Sequence, residues 1–251
     1  MNTQQQTITG VNIFRMNAMT AGILYLITHV TAIGSAILYN PILKDTHYII
    51  GRGFDTQVIL GALLEVILAL AVVGTSLALF PAVKRWNESV ALGYIGLRTL
   101  EASVIIVGAL PLLVLVALRQ NMMVASDADT MTLITFANVL VSFHNWTLLL
   151  GPGLVCGTNT VFMAYLMYKS RLVPRFIPVL GLVGGPLIFA YTVAQMFGSY
   201  DQTTLLAGVT VIPIFTWELI LAIRLITRGF KQTETTFEPA PSASYELVSV
   251  A

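Results

Sequence analysis

Apolar positions fill the chain in six long runs, and polar positions collect in the short stretches between them. The runs cover residues 18–39, 57–80, 91–118, 145–168, 176–197 and 204–226. At ~1.5 Å of rise per residue, a helix of about 20 such residues crosses a hydrocarbon layer of ~30 Å. None of the runs shows the two-residue alternation of a half-buried strand. Their ends carry breakers: Asn40–Pro41 after the first, Pro81 after the second, and Gly51 and Gly53 in the polar loop 44–56. Pro111 predicts a kink in the outer half of the third run, because proline removes a backbone donor and crowds the preceding turn.

Residues 131–168 are long enough for two short spans or one long helix. Thr132, Thr135, Asn138, Ser142 and Asn145 recur there at steps of three and four, a polar stripe of helical period. The stripe leads directly into the apolar part, which predicts one helical element, bent at Gly151–Pro152–Gly153, with a span over 145–168 and an amphipathic lead-in.

The expected fold is therefore all-α: a polytopic transmembrane bundle of six spans, with seven as the alternative. Residues 1–17 read as a polar cytoplasmic lead-in, 18–230 as the bundle, and 231–251, rich in Thr, Ser, Pro and Glu, as a disordered cytoplasmic tail. Composition agrees: 56% of residues are hydrophobic, 10% are charged, and mean hydropathy is +0.82, whereas soluble domains carry about 25% charged residues. The net charge of +1 and the lack of a basic stripe argue against nucleic-acid binding. One cysteine, Cys156, rules out an intramolecular disulfide. The residues before the first run show no signal-peptide cleavage pattern, so that run is expected to be retained.

Of the basic residues outside the spans or in their last turn, Arg15, Lys84, Arg85, Lys169, Arg171, Arg175, Arg224, Arg228 and Lys231 fall on one side of a six-span layout. Lys44, Arg52 and Arg119 fall on the other. The positive-inside bias places both termini in the cytoplasm, in a cell membrane. A seven-span layout with the N-terminus outside gives the same split.

Five ionisable residues lie within the spans: His29, Glu65, Arg98, Glu101 and Glu218. Arg98 and Glu101 share a helical face at i, i+3, deep enough that a charge needs a protein partner. Three carboxylates against one arginine leave negative charge in excess, which a proton-coupled site requires. The plainer reading is a buried ion pair that fixes helix register. His29, His144 and the glutamates also offer metal or haem ligands, but no His-x-x-x-His or Glu-x-x-His spacing supports a metal site. No phosphate loop, zincin helix or nucleophile elbow occurs. Asn145, Asn159 and Gln195 read as interhelical hydrogen bonding, and Pro213, five residues before Glu218, as a point where a carbonyl opens near that carboxylate.

Several of these pieces occur together in one known family. They are residues 19–25, residues 61–65, Leu79–Phe80–Pro81, Leu97–Arg98–Thr99–Leu100–Glu101, Ser170–Arg171–Leu172–Val173–Pro174–Arg175, and Trp217–Glu218 ahead of Arg228–Gly229–Phe230. Through them the chain resembles the bacterial domain-of-unknown-function 4386 family of integral membrane proteins over about residues 15–230. The resemblance implies a multi-span membrane protein and supplies no activity. The expectation is a small transporter or permease-like carrier in a lipid bilayer, handling a small solute or a proton at the Arg/Glu cluster, without a cofactor. An intramembrane metal- or haem-dependent enzyme and a structural or signalling membrane partner are the alternatives.

Overall fold

The computed structural model describes residues 3–44, 46–51, 53–122, 130–198 and 205–231. In chain order they form α1 (Thr3–Lys44), a 3-10 turn (Thr46–Ile49), α2 (Asp55–Val83), α3 (Glu88–Met122) and α4 (Thr130–Leu148). A π-helical segment (Leu149–Val155), α5 (Cys156–Ser170), α6 (Phe176–Met196) and α7 (Leu205–Arg228) follow. The fold is all-α. Six helices are long and apolar enough to cross a membrane. The stretch that allowed either six or seven spans is a single helical run, Thr130–Ser170, and counts once.

Two boundaries differ from the sequence reading. Helix α1 starts at Thr3, ahead of the first apolar run, and no proline interrupts the residues before that run. It also continues past Pro41 to Lys44. A proline in the last turn forfeits one backbone hydrogen bond where the helix is about to end anyway. The expected disordered tail from residue 232 onward, Asp127 and Asp129, and residues 199–204 lie outside the described residues.

Each helix packs on its neighbour in sequence, and α7 returns to pack on α1. Helix α3 also touches α5 and the π segment. Two close approaches set this arrangement. At the α5–α6 crossing Gly157 and Gly185 face each other, and a Cβ on Gly157 would lie 2.8 Å from the Gly185 carbonyl oxygen. At the α1–α7 crossing a Cβ on Gly22 would lie 2.7 Å from the Ala222 carbonyl oxygen. Both distances are below van der Waals contact, so these crossings need glycine.

Polarity is inverted relative to a soluble protein. Large apolar side chains such as Val30, Ile37, Leu70, Phe136 and Val139 face outward, while Glu65, Arg98, Glu101, His144 and Asn159 are buried. Two apolar cores flank the buried charges. One is built around Tyr25, Leu79, Tyr94, Met163, Trp217 and Leu221. The other, toward the far ends of α1 and α3, is built around Tyr39, Ile42, Leu112 and Leu115.

A polar cavity inside the helix bundle

Arg98 leaves α3 between these cores, with its side chain 3% exposed. Its three nitrogens each have an oxygen partner. Nε donates to the Tyr94 hydroxyl at 3.0 Å, Nη1 to Glu101 Oε2 at 3.1 Å, and Nη2 to Glu218 Oε1 at 3.0 Å. The first two partners come from the same face of α3, one turn to either side; Glu218 comes from α7. The guanidinium also lies 5.5 Å from the Tyr25 ring and 5.6 Å from the Tyr94 ring, and the two tyrosine hydroxyls are 3.0 Å apart. An arginine held in this way has no donor direction left open on Nε and one strong pair on each terminal nitrogen.

The second carboxylate contact comes from α5. Asn159 Nδ2 donates to Glu101 Oε2 at 2.7 Å. The π segment just before α5 explains the reach: Pro152 has no amide hydrogen to give, and the Cys156 amide bonds back to the Gly151 and Gly153 carbonyls. A π turn shifts the face presented by the residues beyond it and is common at functional positions. Gly151 itself lies against α3, where a Cβ would be 3.6 Å from the Glu101 carbonyl oxygen.

His29 completes the group from α1. One ring nitrogen, Nδ1, is 2.7 Å from the Tyr25 carbonyl oxygen; a carbonyl only accepts, so Nδ1 carries a hydrogen. Nε2 then points toward Glu218 Oε2 at 3.9 Å, too far for a direct hydrogen bond. The Phe215 ring stands edge-on to the imidazole at 4.6 Å. Two carboxylates, Glu101 and Glu218, thus face the single guanidinium of Arg98.

His29, Arg98, Glu101, Phe215 and Glu218 line one end of a cavity of about 300 Å³ between α1, α3, α7 and the π segment. Leu68, Val72, Ile105, Ile188 and Ile214 form much of the remaining wall, and Cys156 lies on it. An apolar enclosure with a few convergent polar groups is the usual form of a small-molecule site.

The structure thus brings together four of the five ionisable residues placed within spans. Glu65 stands apart: its Oε2 accepts from the Tyr39 hydroxyl at 3.1 Å. The Tyr39 ring in turn meets the His144 ring at 5.3 Å, and His144 Nδ1 bonds the Gly108 carbonyl at 2.8 Å. Among the described residues no three His, Cys, Asp or Glu side chains converge on a common point as ligands for a metal ion.

Sequence reasoning passed over Tyr25 and Tyr94, whose rings and hydroxyls enclose Arg98. Their spacing was the available signal, since Tyr94, Arg98 and Glu101 follow one another on one helical face. It also passed over a second polar knot outside the spans. Arg119 pairs with Asp55 at 2.8 Å, donates to the Gly51 carbonyl at 2.9 Å, and lies 5.5 Å from the Tyr48 ring. The Tyr48 hydroxyl donates to Asp55. Loss of solvent, together with that bond to a carboxylate, raises the Tyr48 pKa above the ordinary tyrosine value.

No curated protein and no solved structure matches the chain. One family profile does, over residues 20–229, a stretch that contains every residue of the cavity described above, and the chain belongs to that family, described as Domain of unknown function (DUF4386).

Proposed function

We propose that the protein is a small carrier of a cell membrane, with both termini cytoplasmic, whose cavity between α1, α3 and α7 is the solute and proton site. One observation carries this reading. The buried ion-pair group does not close on itself but borders a cavity, and the His29–Glu218 gap of 3.9 Å is open to it. A purely structural salt bridge inside a bundle offsets its desolvation cost by having its remaining donors and acceptors satisfied. Here the two carboxylates exceed the one arginine, and the excess charge can be met by a proton or by a solute. Ionisable groups that face a cavity within a bundle are characteristic of ion and solute pathways. The basic residues Arg15, Arg85, Arg175 and Lys231 fall at one end of the spans, which supports the orientation.

The test is flux in proteoliposomes. A pH gradient should drive solute uptake or a proton current that Glu218→Gln abolishes while the purified variant remains folded and monodisperse. Absence of any flux or proton movement across a broad solute screen, with folded protein confirmed, overturns the carrier reading.

A further inference from the structure

The cavity has a charge sign and a side opening, and together they define what it takes. Among the described residues Arg98 is the only fixed cation lining the cavity, and all three of its nitrogens are engaged by Tyr94, Glu101 and Glu218. Two carboxylates already oppose this one cation, so an anionic solute would add a third negative group beside them. Acceptors, by contrast, are in surplus. Glu218 Oε2 meets only the imidazole, 3.9 Å away. Glu101, also on the cavity wall, shares the single Arg98 with Glu218. A buried acceptor without a donor is costly unless something fills the role.

The opening lies between α1 and α7. Ile33, Val211 and Phe215 line the cavity and are also exposed, 51%, 43% and 38% respectively. In a helix that crosses a membrane, such apolar exposure within the span faces lipid tails. The rim residues are apolar, so the route in favours molecules already dissolved in the bilayer. The charged end then selects among them.

Resting on the carrier reading, we propose that the cavity binds an amphiphilic organic monocation that arrives sideways from the bilayer between α1 and α7. Its charged head lies at Glu218 and His29, beside the Phe215 ring, and its hydrocarbon lies along Ile33, Val72 and Ile105. An aromatic face near a carboxylate suits an alkylammonium head, and a cavity of about 300 Å³ is at the small end of ligand sites. The head supplies the positive charge that the three fixed charges lack.

Cys156, the single cysteine, reports on the cavity without any engineering. The protein in lipid nanodiscs is labelled with N-ethylmaleimide, a neutral reagent, in the presence of butyltrimethylammonium or of butanesulfonate, its anionic counterpart. The cation should slow labelling of Cys156 and the anion should not. Glu218→Gln should still be labelled and should weaken protection by the cation by on the order of tenfold. Ile33→Trp, a change on the exposed rim that leaves the ion pairs in place, should slow labelling itself by narrowing the opening. Equal protection by both compounds, protection by the anion alone, protection by neither, or a Cys156 that is never labelled each overturns the proposal. Protection by the cation without flux in proteoliposomes leaves the binding assignment standing and removes only the carrier reading.

Discussion

Replacing Arg98 by methionine keeps most of the length of the side chain and deletes its charge, so the result isolates electrostatics from packing. The arginine is 3% exposed and is paired at 3.0–3.1 Å with two carboxylates that are 5% and 15% exposed. Removing one partner of a buried pair typically costs about 3–5 kcal/mol, because the remaining charge is left without compensation. Two stranded carboxylates do not double this figure. Glu101 keeps its 2.7 Å bond from Asn159, and Glu218 is the more exposed of the two. We therefore expect Arg98→Met to destabilise the folded protein by about 3–5 kcal/mol, read as the shift in reversible unfolding by SDS titration in mixed micelles. Arg98→Met combined with Glu101→Gln should recover about 1–3 kcal/mol relative to the sum of the single changes. Glu101→Gln alone should be milder than Arg98→Met, since Arg98 retains Glu218 and Tyr94. An Arg98→Met protein within about 0.5 kcal/mol of wild type, or a double variant equal to the sum of the singles, refutes the reasoning.

Three further outcomes are expected. Gly185→Val should place a branched side chain against the Gly157 carbonyl, where even a bare Cβ would lie 2.6 Å away; thermal unfolding should show a loss of about 1–3 kcal/mol, and an unchanged melting temperature would mean that α5 and α6 are not so close. The raised Tyr48 pKa makes a signed prediction: its protonated form is favoured in the folded state, so its contribution is complete below the ordinary tyrosine pKa of about 10 and lost as pH rises beyond it. Stability of the wild type should therefore fall above about pH 10 more steeply than that of Tyr48→Phe, and parallel pH profiles would contradict the assignment. Reporters fused after Arg85, Arg175 and Lys231 should all read cytoplasmic, and an external signal after Arg85 would overturn the orientation.

The sequence by itself determined the class and the place of the charges along the chain, and it favoured six spans over seven. Runs of about 20 apolar residues cannot be stably dissolved in water and can be satisfied by helices in lipid, so span number follows from local composition. The polar stripe from Thr132 to Asn145 likewise foretold a single helical run through Gly151–Pro152–Gly153, because helical period is a local property. Local information also placed Arg98 beside Glu101. It could not choose among distant partners. That Glu218 joins Arg98 while Glu65 turns to Tyr39 depends on how the helices rotate about their axes, which the Gly22 and Gly157–Gly185 crossings and the π segment set. The cavity is a further step removed from the sequence. It exists because α1 and α7 meet closely at Gly22 yet leave space around His29 and Phe215, and a space between helices has no residue of its own to announce it.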